Sequence, residues 1–364
     1  MSDMKNSKEF YMRKALELAQ QGMGYTSPNP MVGCVVVKHG EIVAEGYHEK
    51  YGEYHAERNA LLSCKEDLQG AELYVTLEPC CHHGKTPPCT EIIIERGIKK
   101  VYVGSMDSNP LVGGKGVRIL EDAGIEVECG ILKEECDKLN EVFFHYIEKK
   151  TPFVVMKYAM TLDGKIAAYT GDSKWVTSEA ARNHVQVLRK KYSGILAGIG
   201  TVEADDPMLN CRIAEGVNPV RIICDSKLSI SLESNIVKTA KEIKTIIAYA
   251  AALPEKQTEL EAQGITLLHA EKNGKVDLKL LMQKLGEMGI DSVLMEGGGQ
   301  IHAAALEAGI VNKVYAYIAP KLIGGDKSKT PVGGKGLEKM SEAWKLKDIE
   351  IEQIGEDILV TGYV

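Results

Sequence analysis

The sequence predicts an α/β protein of two domains. The chain has 364 residues, more than one domain usually needs. Short apolar strand patterns alternate with amphipathic helix patterns along its whole length. Thr151-Pro152 follows the charged run Glu148-Lys149-Lys150 and precedes a new apolar segment. We therefore expect one domain over residues 1–150 and a second over residues 151–364.

The first half predicts a three-layer α/β domain. A helix pattern over Lys8 to Gln21 is followed by Gly22, a helix stop. Apolar runs at residues 32–37 and 42–46 flank a polar turn and predict a β-hairpin. His55 is expected to open the next helix, and a further helix should begin near Cys89 or Thr90. Strand patterns follow at residues 73–76, 100–103 and 126–129.

The second half repeats the alternation of strands and helices. A buried-strand pattern over residues 292–296 leads into Gly297-Gly298-Gly299 and then a helix pattern over residues 300–308. Glycines at such a turn let backbone amides approach a phosphate at the positive end of a helix. A simple tight turn would have the same sequence, and the spacing is not the Rossmann fingerprint. The other predicted elements are residues 153–158, 166–169, 180–190, 194–198, 220–225, 243–249, 278–288 and 314–318.

Composition and charge exclude some classes of function. The formal net charge is -7, and no basic stripe is interleaved with aromatic residues, so nucleic acid is not an expected partner. The start of the chain is polar and no run approaches 18 apolar residues, so we expect a cytoplasmic protein without a membrane segment. The nine cysteines follow no regular pairing pattern, which indicates reduced thiols. Six of them are interpreted mostly as small core residues: Cys34, Cys64, Cys129, Cys136, Cys211 and Cys224.

Two short clusters predict a catalytic zinc site. His55, Cys80 and Cys89 supply one imidazole and two thiolates, which leave one position open on a tetrahedral ion. Water bound there would be a source of hydroxide at neutral pH. Glu57 is badly placed as a fourth ligand and well placed to move a proton, the pattern of zinc deaminases. The alternative is a closed structural site, for which Cys81, His82 or His83 could supply the fourth ligand.

The spacing of the second cluster resembles that of a known family. In Pro79 to Cys89 the second cysteine comes nine positions after the first, as in the riboflavin-biosynthesis deaminases, whereas other zinc deaminases have three. The second half resembles the reductase of the same family in three segments, and the order and spacing of all these motifs extend over nearly the whole chain. They are Lys157-Tyr158-Ala159-x-Thr161-Leu162-Asp163-Gly164, Gly200-Thr201-Val202-x-Ala204-Asp205-Asp206-Pro207 and Glu296-Gly297-Gly298.

The resemblance implies a cytidine-deaminase-like N-terminal domain and a dihydrofolate-reductase-like C-terminal domain. The first would hydrolyse the amino group of 2,5-diamino-6-ribosylamino-4(3H)-pyrimidinone 5′-phosphate with one zinc ion per chain. The second would use NADPH to reduce the ribosyl group of 5-amino-6-(5-phosphoribosylamino)uracil to ribityl. It also implies small phosphorylated pyrimidine substrates and a homo-oligomer.

The resemblance also implies residue roles, carried over position by position. Deaminase substrate contacts would be Asn29, His48, Lys85 and Asn109, with Lys85 suited to the phosphate. Cofactor contacts would be Ala159, Trp175, Thr201, Asp205, Ser226, Gly297, Gly298 and Gly299. Reductase substrate contacts would be Lys157, Ser173, Arg189, Leu209, Arg212 and Glu296. Lys157 and Asp205 are further hypotheses for proton transfer. Taken singly, five charged residues of this half are nevertheless expected to be solvated: Lys157, Asp163, Asp205, Asp206 and Glu296.

Two other functions fit parts of the sequence. One is a nucleic-acid adenosine deaminase fused to an unrelated α/β domain, which the acidic charge and the cysteine spacing disfavour. The other is a structural-zinc binding module with a nucleotide-sensing second domain. Zinc-dependent release of ammonia would distinguish the enzyme from that module.

Overall fold

The structure is a computed structural model that describes residues 7–109 and 113–364. The chain divides into two compact units, residues 1–150 and residues 151–364. Each unit has its own sheet and its own hydrophobic core. In the described part of the chain, the helices are all too short or too polar to cross a bilayer.

The first unit is built on a five-stranded sheet of order β2-β1-β3-β4-β5. β1 pairs antiparallel with both β2 and β3, and β3, β4 and β5 are parallel. The strands are β1 (Gly33–Lys38), β2 (Glu41–Tyr47), β3 (Glu72–Leu77), β4 (Lys100–Ser105) and β5 (Glu126–Cys129). The helices are α1 (Lys8–Ala19), α2 (Ala56–Ser63), α3 (Cys89–Glu95), α4 (Lys115–Asp122), α5 (Lys133–Leu139) and α6 (Glu141–Lys149).

Helices cover both faces of this sheet, which confirms the predicted three layers. Ala60, Ile93 and Leu120 bring α2, α3 and α4 into the core on one face. Met12 and Cys136 bring α1 and α5 into the core on the other. The predicted β-hairpin and the predicted starts of α2 and α3 are also confirmed.

Close packing of α2 on β2 fixes the start of α2. A Cβ added to Gly46 would lie 2.5 Å from the backbone nitrogen of Ala60 and 2.6 Å from the carbonyl oxygen of Ala56. Real Cβ contacts are not this short, so only glycine allows the helix to approach the strand so closely. The first turn of α2, with its neighbour His55, is therefore held directly against the sheet.

The second unit is built on a nine-stranded sheet of order β10-β9-β8-β7-β13-β6-β14-β16-β15. The first seven strands in that order are parallel, and β16 and β15 are antiparallel. The strands are β6 (Phe153–Thr161), β7 (Gly194–Gly198), β8 (Val220–Cys224), β9 (Thr245–Tyr249), β10 (Thr266–His269), β13 (Ser292–Met295), β14 (Lys313–Ala319), β15 (Lys347–Ile354) and β16 (Asp357–Tyr363), with a separate ribbon of β11 (Glu271–Lys272) and β12 (Lys275–Val276). The helices are α7 (Glu179–Lys191), α8 (Ile199–Asp205), α9 (Asn235–Lys238), α10 (Pro254–Ala262), α11 (Leu278–Glu287) and α12 (Gly299–Glu307).

Some sequence predictions were wrong in detail. Residues 166–169 form a loop rather than a strand or helix, because Ile166 donates to the carbonyl of Lys329 and the chain turns at Gly171. Strands β15 and β16 were not predicted. Cys129 is exposed rather than a core residue, whereas Cys34, Cys136 and Cys224 are buried as expected.

Candidate active sites

Three separate elements bring the predicted zinc ligands together. His55 is the residue that precedes α2, Cys80 follows the end of β3, and Cys89 is the first residue of α3. The Nδ1 atom of His55 lies 3.4 Å from the Sγ atom of Cys80 and 3.7 Å from that of Cys89. In the described ranges these three residues form a group able to hold a metal ion.

The donor set and its dimensions fit zinc. Bonds of about 2.0 Å to nitrogen and about 2.3 Å to sulfur, at a tetrahedral angle, separate the two ligand atoms by roughly 3.5 Å. The observed separations of 3.4 and 3.7 Å agree with this value. The Cys89 thiol and the His55 ring also lower the pKa of Cys80 to about 4. A thiolate is the form that binds a metal.

Glu57 lies in the first turn of α2 and is not one of the three ligands. Only 3 % of its surface is exposed. Burial, reinforced by the nearby Cys80 thiolate, raises the pKa of its carboxyl to about 7. A buried carboxyl beside the ligands can therefore take up and release a proton near neutral pH.

A cavity of about 250 Å³ is lined by His55, Cys80 and Glu57, and the four predicted deaminase substrate residues line it as well. The side-chain amide of Asn29 lies 3.2 Å from Nε2 of His48, and Nδ1 of His48 lies 2.9 Å from the carbonyl oxygen of Tyr54. Because a carbonyl can only accept, Nδ1 carries the proton and Nε2 accepts from Asn29. Burial lowers the pKa of His48, which favours this neutral form.

The other two predicted residues lie at different parts of the cavity wall. The Nζ atom of Lys85 lies 3.8 Å from the centre of the Tyr51 ring, and its side chain is exposed. The backbone nitrogen of Asn109 donates to Asp107 over 2.8 Å. A cation at an exposed edge of the cavity is suitably placed for the phosphate of a substrate.

Two cavity residues were missed from the sequence. Glu78 and Asp107 both line the cavity. Burial raises the pKa of Asp107 to about 6. The available signal for Glu78 was its position directly before Pro79-Cys80. The backbone groups that its carboxylate contacts lie far along the chain, so the sequence did not indicate them. The spare zinc ligands considered above, Cys81, His82 and His83, are outside the three-residue group.

In the second unit, Glu296 forms a buried ion cluster with Lys157 and Arg189. Its Oε2 atom lies 2.9 Å from Nζ of Lys157, and Arg189 donates to both carboxylate oxygens, at 2.7 and 3.0 Å. Burial alone would raise the pKa of Glu296, but the two cations outweigh it and hold that pKa well below its usual range. The expectation of solvation was therefore wrong for Glu296 and Lys157, whereas Asp205 and Asp206 are exposed as expected.

The cluster continues into the segment that follows α8. Nη1 of Arg189 donates to the carbonyl of Asn210 at 3.0 Å, and Arg212 contacts the Asn210 side chain at 3.3 Å. Leu209, beside them, is buried and has a positive φ of 46°. Four of the six predicted reductase substrate residues thus lie along one connected set of contacts: Lys157, Glu296, Arg189 and Arg212. Leu209 precedes Asn210 in the chain, and its side chain packs in a hydrophobic core.

The glycine turn lies at the carboxyl end of β13. Because β8, β7 and β13 are adjacent and parallel, Ser226, the start of α8 and the glycine turn share one edge of the sheet. A Cβ on Gly298 would lie 3.9 Å from Oγ1 of Thr201, whereas one on Gly299 would lie 2.6 Å from the carbonyl oxygen of Thr330. This edge is where open α/β sheets bind their ligands.

The remaining predicted residues lie apart from this glycine turn and from the ion cluster. Ala159 pairs with Tyr317 inside the sheet. Ser173 and Trp175 are in the loop between β6 and α7, where Trp175 is 64 % exposed with the Arg182 guanidinium over its ring. Asp205 is exposed at the last residue of α8.

The two sites define a class of protein: a zinc deaminase joined to a nucleotide-dependent α/β reductase. The chain matches the family model of the cytidine and deoxycytidylate deaminase zinc-binding region over residues 5–105. It matches the RibD C-terminal domain over residues 152–360.

Full-length relatives identify the family. The chain is 58% identical to the riboflavin biosynthesis protein RibD of Actinobacillus pleuropneumoniae over 96% of this chain and 93% of the relative. It is 40% identical to that of Escherichia coli, over 96% and 97% of the two chains. The chain therefore belongs to the RibD family of riboflavin biosynthesis proteins, which confirms the resemblance.

Solved structures agree over both units. Acinetobacter baumannii RibD superposes with a TM-score of 0.88 at 37% identity, over 98% of each chain. The Thermotoga maritima diaminohydroxyphosphoribosylaminopyrimidine deaminase/5-amino-6-(5-phosphoribosylamino)uracil reductase gives 0.86 at 41%, also over 98% of each. The protein is thus a bifunctional enzyme, with a zinc-binding deaminase half and an NADPH-dependent reductase half.

Proposed function

We propose that the enzyme performs two successive steps on one phosphorylated pyrimidine. The first half deaminates 2,5-diamino-6-ribosylamino-4(3H)-pyrimidinone 5′-phosphate. The second half reduces the product, 5-amino-6-(5-phosphoribosylamino)uracil, at its ribosyl group. The observation that carries the proposal is the cavity in which the His55, Cys80 and Cys89 cluster, Glu57 and four polar residues meet.

In the deaminase half, each group has a separate task. His55, Cys80 and Cys89 would hold the zinc ion, which would supply hydroxide at neutral pH. The Glu57 carboxylate takes a proton from the attacking water and delivers it to the amine that leaves. One C–N bond is broken, one C–O bond is formed, and ammonia is released.

The other cavity residues position the substrate. The neutral His48 ring holds the Asn29 side chain, so that the amide is fixed at the cavity wall. Lys85 contacts the phosphate and Asn109 contacts the rest of the substrate. Holding the ring against the nucleophile in this way lowers the entropic cost of the reaction.

In the reductase half, the protein groups would position the substrate and the cofactor, and the cofactor would supply the chemistry. NADPH would supply the hydride when bound. The residues that would hold it are Gly297, Gly298, Gly299, Ala159, Trp175, Thr201, Asp205 and Ser226. Glu296 orients Lys157 and Arg189, whose cationic groups with Arg212, Ser173 and Leu209 hold the phosphorylated substrate. Lys157 and Asp205 stay hypotheses for proton transfer. An Asp205→Ala enzyme with unchanged reductase kcat and KM would exclude Asp205.

The test is one assay with two readouts. Zinc-loaded protein is mixed with the diaminopyrimidine ribosyl phosphate, with and without NADPH, while ammonia and NADPH absorbance are followed. We expect ammonia without NADPH, and oxidation of NADPH only after ammonia appears. Ammonia alone would restrict the proposal to the first half, and neither signal would favour a binding module.

We further propose a homo-oligomer that works in the cytoplasm. The support is the membership of the RibD family. Light scattering of the purified protein that gave the mass of one chain would contradict the oligomer.

A further inference from the structure

Glu78 carries a buried carboxylate beside the zinc ligands that has no assigned role. It precedes Pro79-Cys80 and is 3 % exposed. Its Oε2 atom accepts from the backbone nitrogens of Asp107 and Gly114, at 3.3 and 3.0 Å. Its Oε1 atom accepts from those of Gly116 and Val117, at 3.0 and 3.3 Å. Four donors fill the accepting capacity of one carboxylate.

These donors belong to two places that Glu78 joins. Asp107 comes just after β4, whereas Gly114, Gly116 and Val117 are at the start of α4. Packing reinforces the second connection, since a Cβ on Gly116 would lie 2.1 Å from the carbonyl oxygen of Pro79. The start of α4 therefore lies directly on the backbone that leads to Cys80.

The first connection leads into the substrate cavity. The backbone nitrogen of Asp107 donates to Glu78, and Oδ1 of Asp107 accepts from the backbone nitrogen of Asn109. All three residues line the cavity. Glu78 thus connects the segment that carries Cys80 with the segment that carries Asn109.

We propose that Glu78 is a positioning residue for the deaminase, one that holds Asp107 and Asn109 in place against the bound pyrimidine. This inference rests on the proposed function of the first half. Glu78 acts through the wall of the cavity, so it sets the affinity for the substrate and leaves the chemical step to Glu57 and the zinc ligands.

Glu78→Gln tests this directly. A glutamine has one accepting oxygen and one NH₂ group, so the NH₂ would face two N–H donors and leave them unpaired. We expect the deaminase KM to rise about tenfold, with kcat within about threefold of the wild-type value, because hydrogen bonds of ordinary strength are lost from the wall. Zinc content and reductase kcat should be unchanged.

Glu121→Gln is the matched control, because this glutamate is exposed on α4. It should leave both KM values unchanged. A role in stability alone would lower the melting temperature of the Glu78→Gln enzyme and leave its KM at the wild-type value, which would overturn the proposal. A fall in kcat with KM unchanged would also overturn the proposal.

Glu78→Asp keeps the experiment decisive if the glutamine variant loses zinc. Aspartate retains the charge and both oxygens on a shorter side chain, so its KM should fall between those of the wild type and the glutamine variant. A zinc-loaded Glu78→Asp enzyme with wild-type KM would refute the positioning role. Wild-type enzyme that releases no ammonia would instead refute the proposed function.

Discussion

Glu57 and Glu296 are both buried glutamates at a candidate active site, yet their surroundings drive their pKa values in opposite directions. Glu57 is buried near a thiolate, and its pKa is raised to about 7. Glu296 is buried between Lys157 and Arg189, and its pKa is held well below the usual range. The first can exchange a proton near neutral pH, whereas the second remains an anion at that pH.

The opposite pKa shifts indicate that the two glutamates have different tasks. Groups whose environments separate their pKa values in this manner commonly have different catalytic tasks. We propose that in the first half the protein itself moves a proton, through Glu57. In the second half the proposed role of the Glu296 carboxylate is to orient cations, and the reacting atoms would belong to the cofactor and substrate.

The strongest test of the proton-transfer role is Glu57→Gln. The amide keeps the shape of the side chain but cannot take a proton, so deaminase kcat should fall by about 10² to 10⁴. Zinc content measured by atomic absorption, and reductase activity, should not change. The exposed Glu66→Gln enzyme is the control. Loss of zinc from the Glu57 variant would contradict a role separate from the ligands.

Glu296→Gln tests whether the ionised Glu296 carboxylate stabilises the second unit. Removing one member of a buried ion cluster leaves its partners unpaired and should cost about 3–5 kcal/mol of unfolding free energy near neutral pH. Both tryptophans, Trp175 and Trp344, are in the second unit, so their fluorescence during urea unfolding reports on this half. Reductase activity should also be lost, and Glu307→Gln, exposed on α12, should show neither effect.

The pH dependence of the same variant checks the sign of the pKa shift. A carboxyl with a depressed folded-state pKa contributes stability above its unfolded value and loses it as pH falls toward the folded value. The stability gap between wild type and Glu296→Gln should therefore be constant down to about pH 5 and shrink below about 4.5. A gap that stayed constant to pH 3 would contradict the ion cluster.

Two neighbouring glycines sharpen the interpretation of the second site as a cofactor site. Gly298→Ala adds a methyl group with no atom closer than 3.9 Å, so stability should change by at most about 1 kcal/mol while the KM for NADPH rises about tenfold. Gly299→Ala would place its methyl 2.6 Å from Thr330 and 2.9 Å from Gly333. That overpacking should cost about 1–3 kcal/mol. Stability would be measured by thermal melts and the KM by NADPH titrations. A Gly298→Ala enzyme that lost stability but kept its KM for NADPH would refute the cofactor site.

The smallest expected effects concern Cys81 and His83. Both lie outside the three-residue ligand group, and His83 lies 3.4 Å from Glu91 on the surface. Cys81→Ser and His83→Ala should each retain zinc and change deaminase kcat by no more than about twofold. Cys80→Ser should lose zinc. Metal loss from the Cys81 variant would revive the closed structural site.

The sequence was most informative where function depends on local spacing. His55, Cys80 and Cys89 could be predicted because strand ends and helix starts put them in known positions along a short stretch of chain. Glu78 could not be assigned, because its four donors begin 29 residues downstream and only the fold brings them back.

The contacts in the second site were even harder to predict from the sequence. Met295 pairs with Met156 between adjacent strands, so Glu296 and Lys157 follow at neighbouring positions, and α7 adds Arg189. Singly, each residue resembles a solvated surface charge, and composition gives no sign of the pairing. The family resemblance identified these residues, but only tertiary structure explains why they are buried together.

The position of β13 has a consequence for synthesis of the protein on the ribosome. β13 (Ser292–Met295) lies between β6 and β7, which are translated long before it. Until it emerges, β6 and β7 each present an unpaired edge, and such edges promote aggregation. Among the described residues, those that line the zinc cavity extend no further along the chain than Phe143. Nascent chains that stall before residue 292 should therefore be able to bind zinc while remaining clients for chaperones.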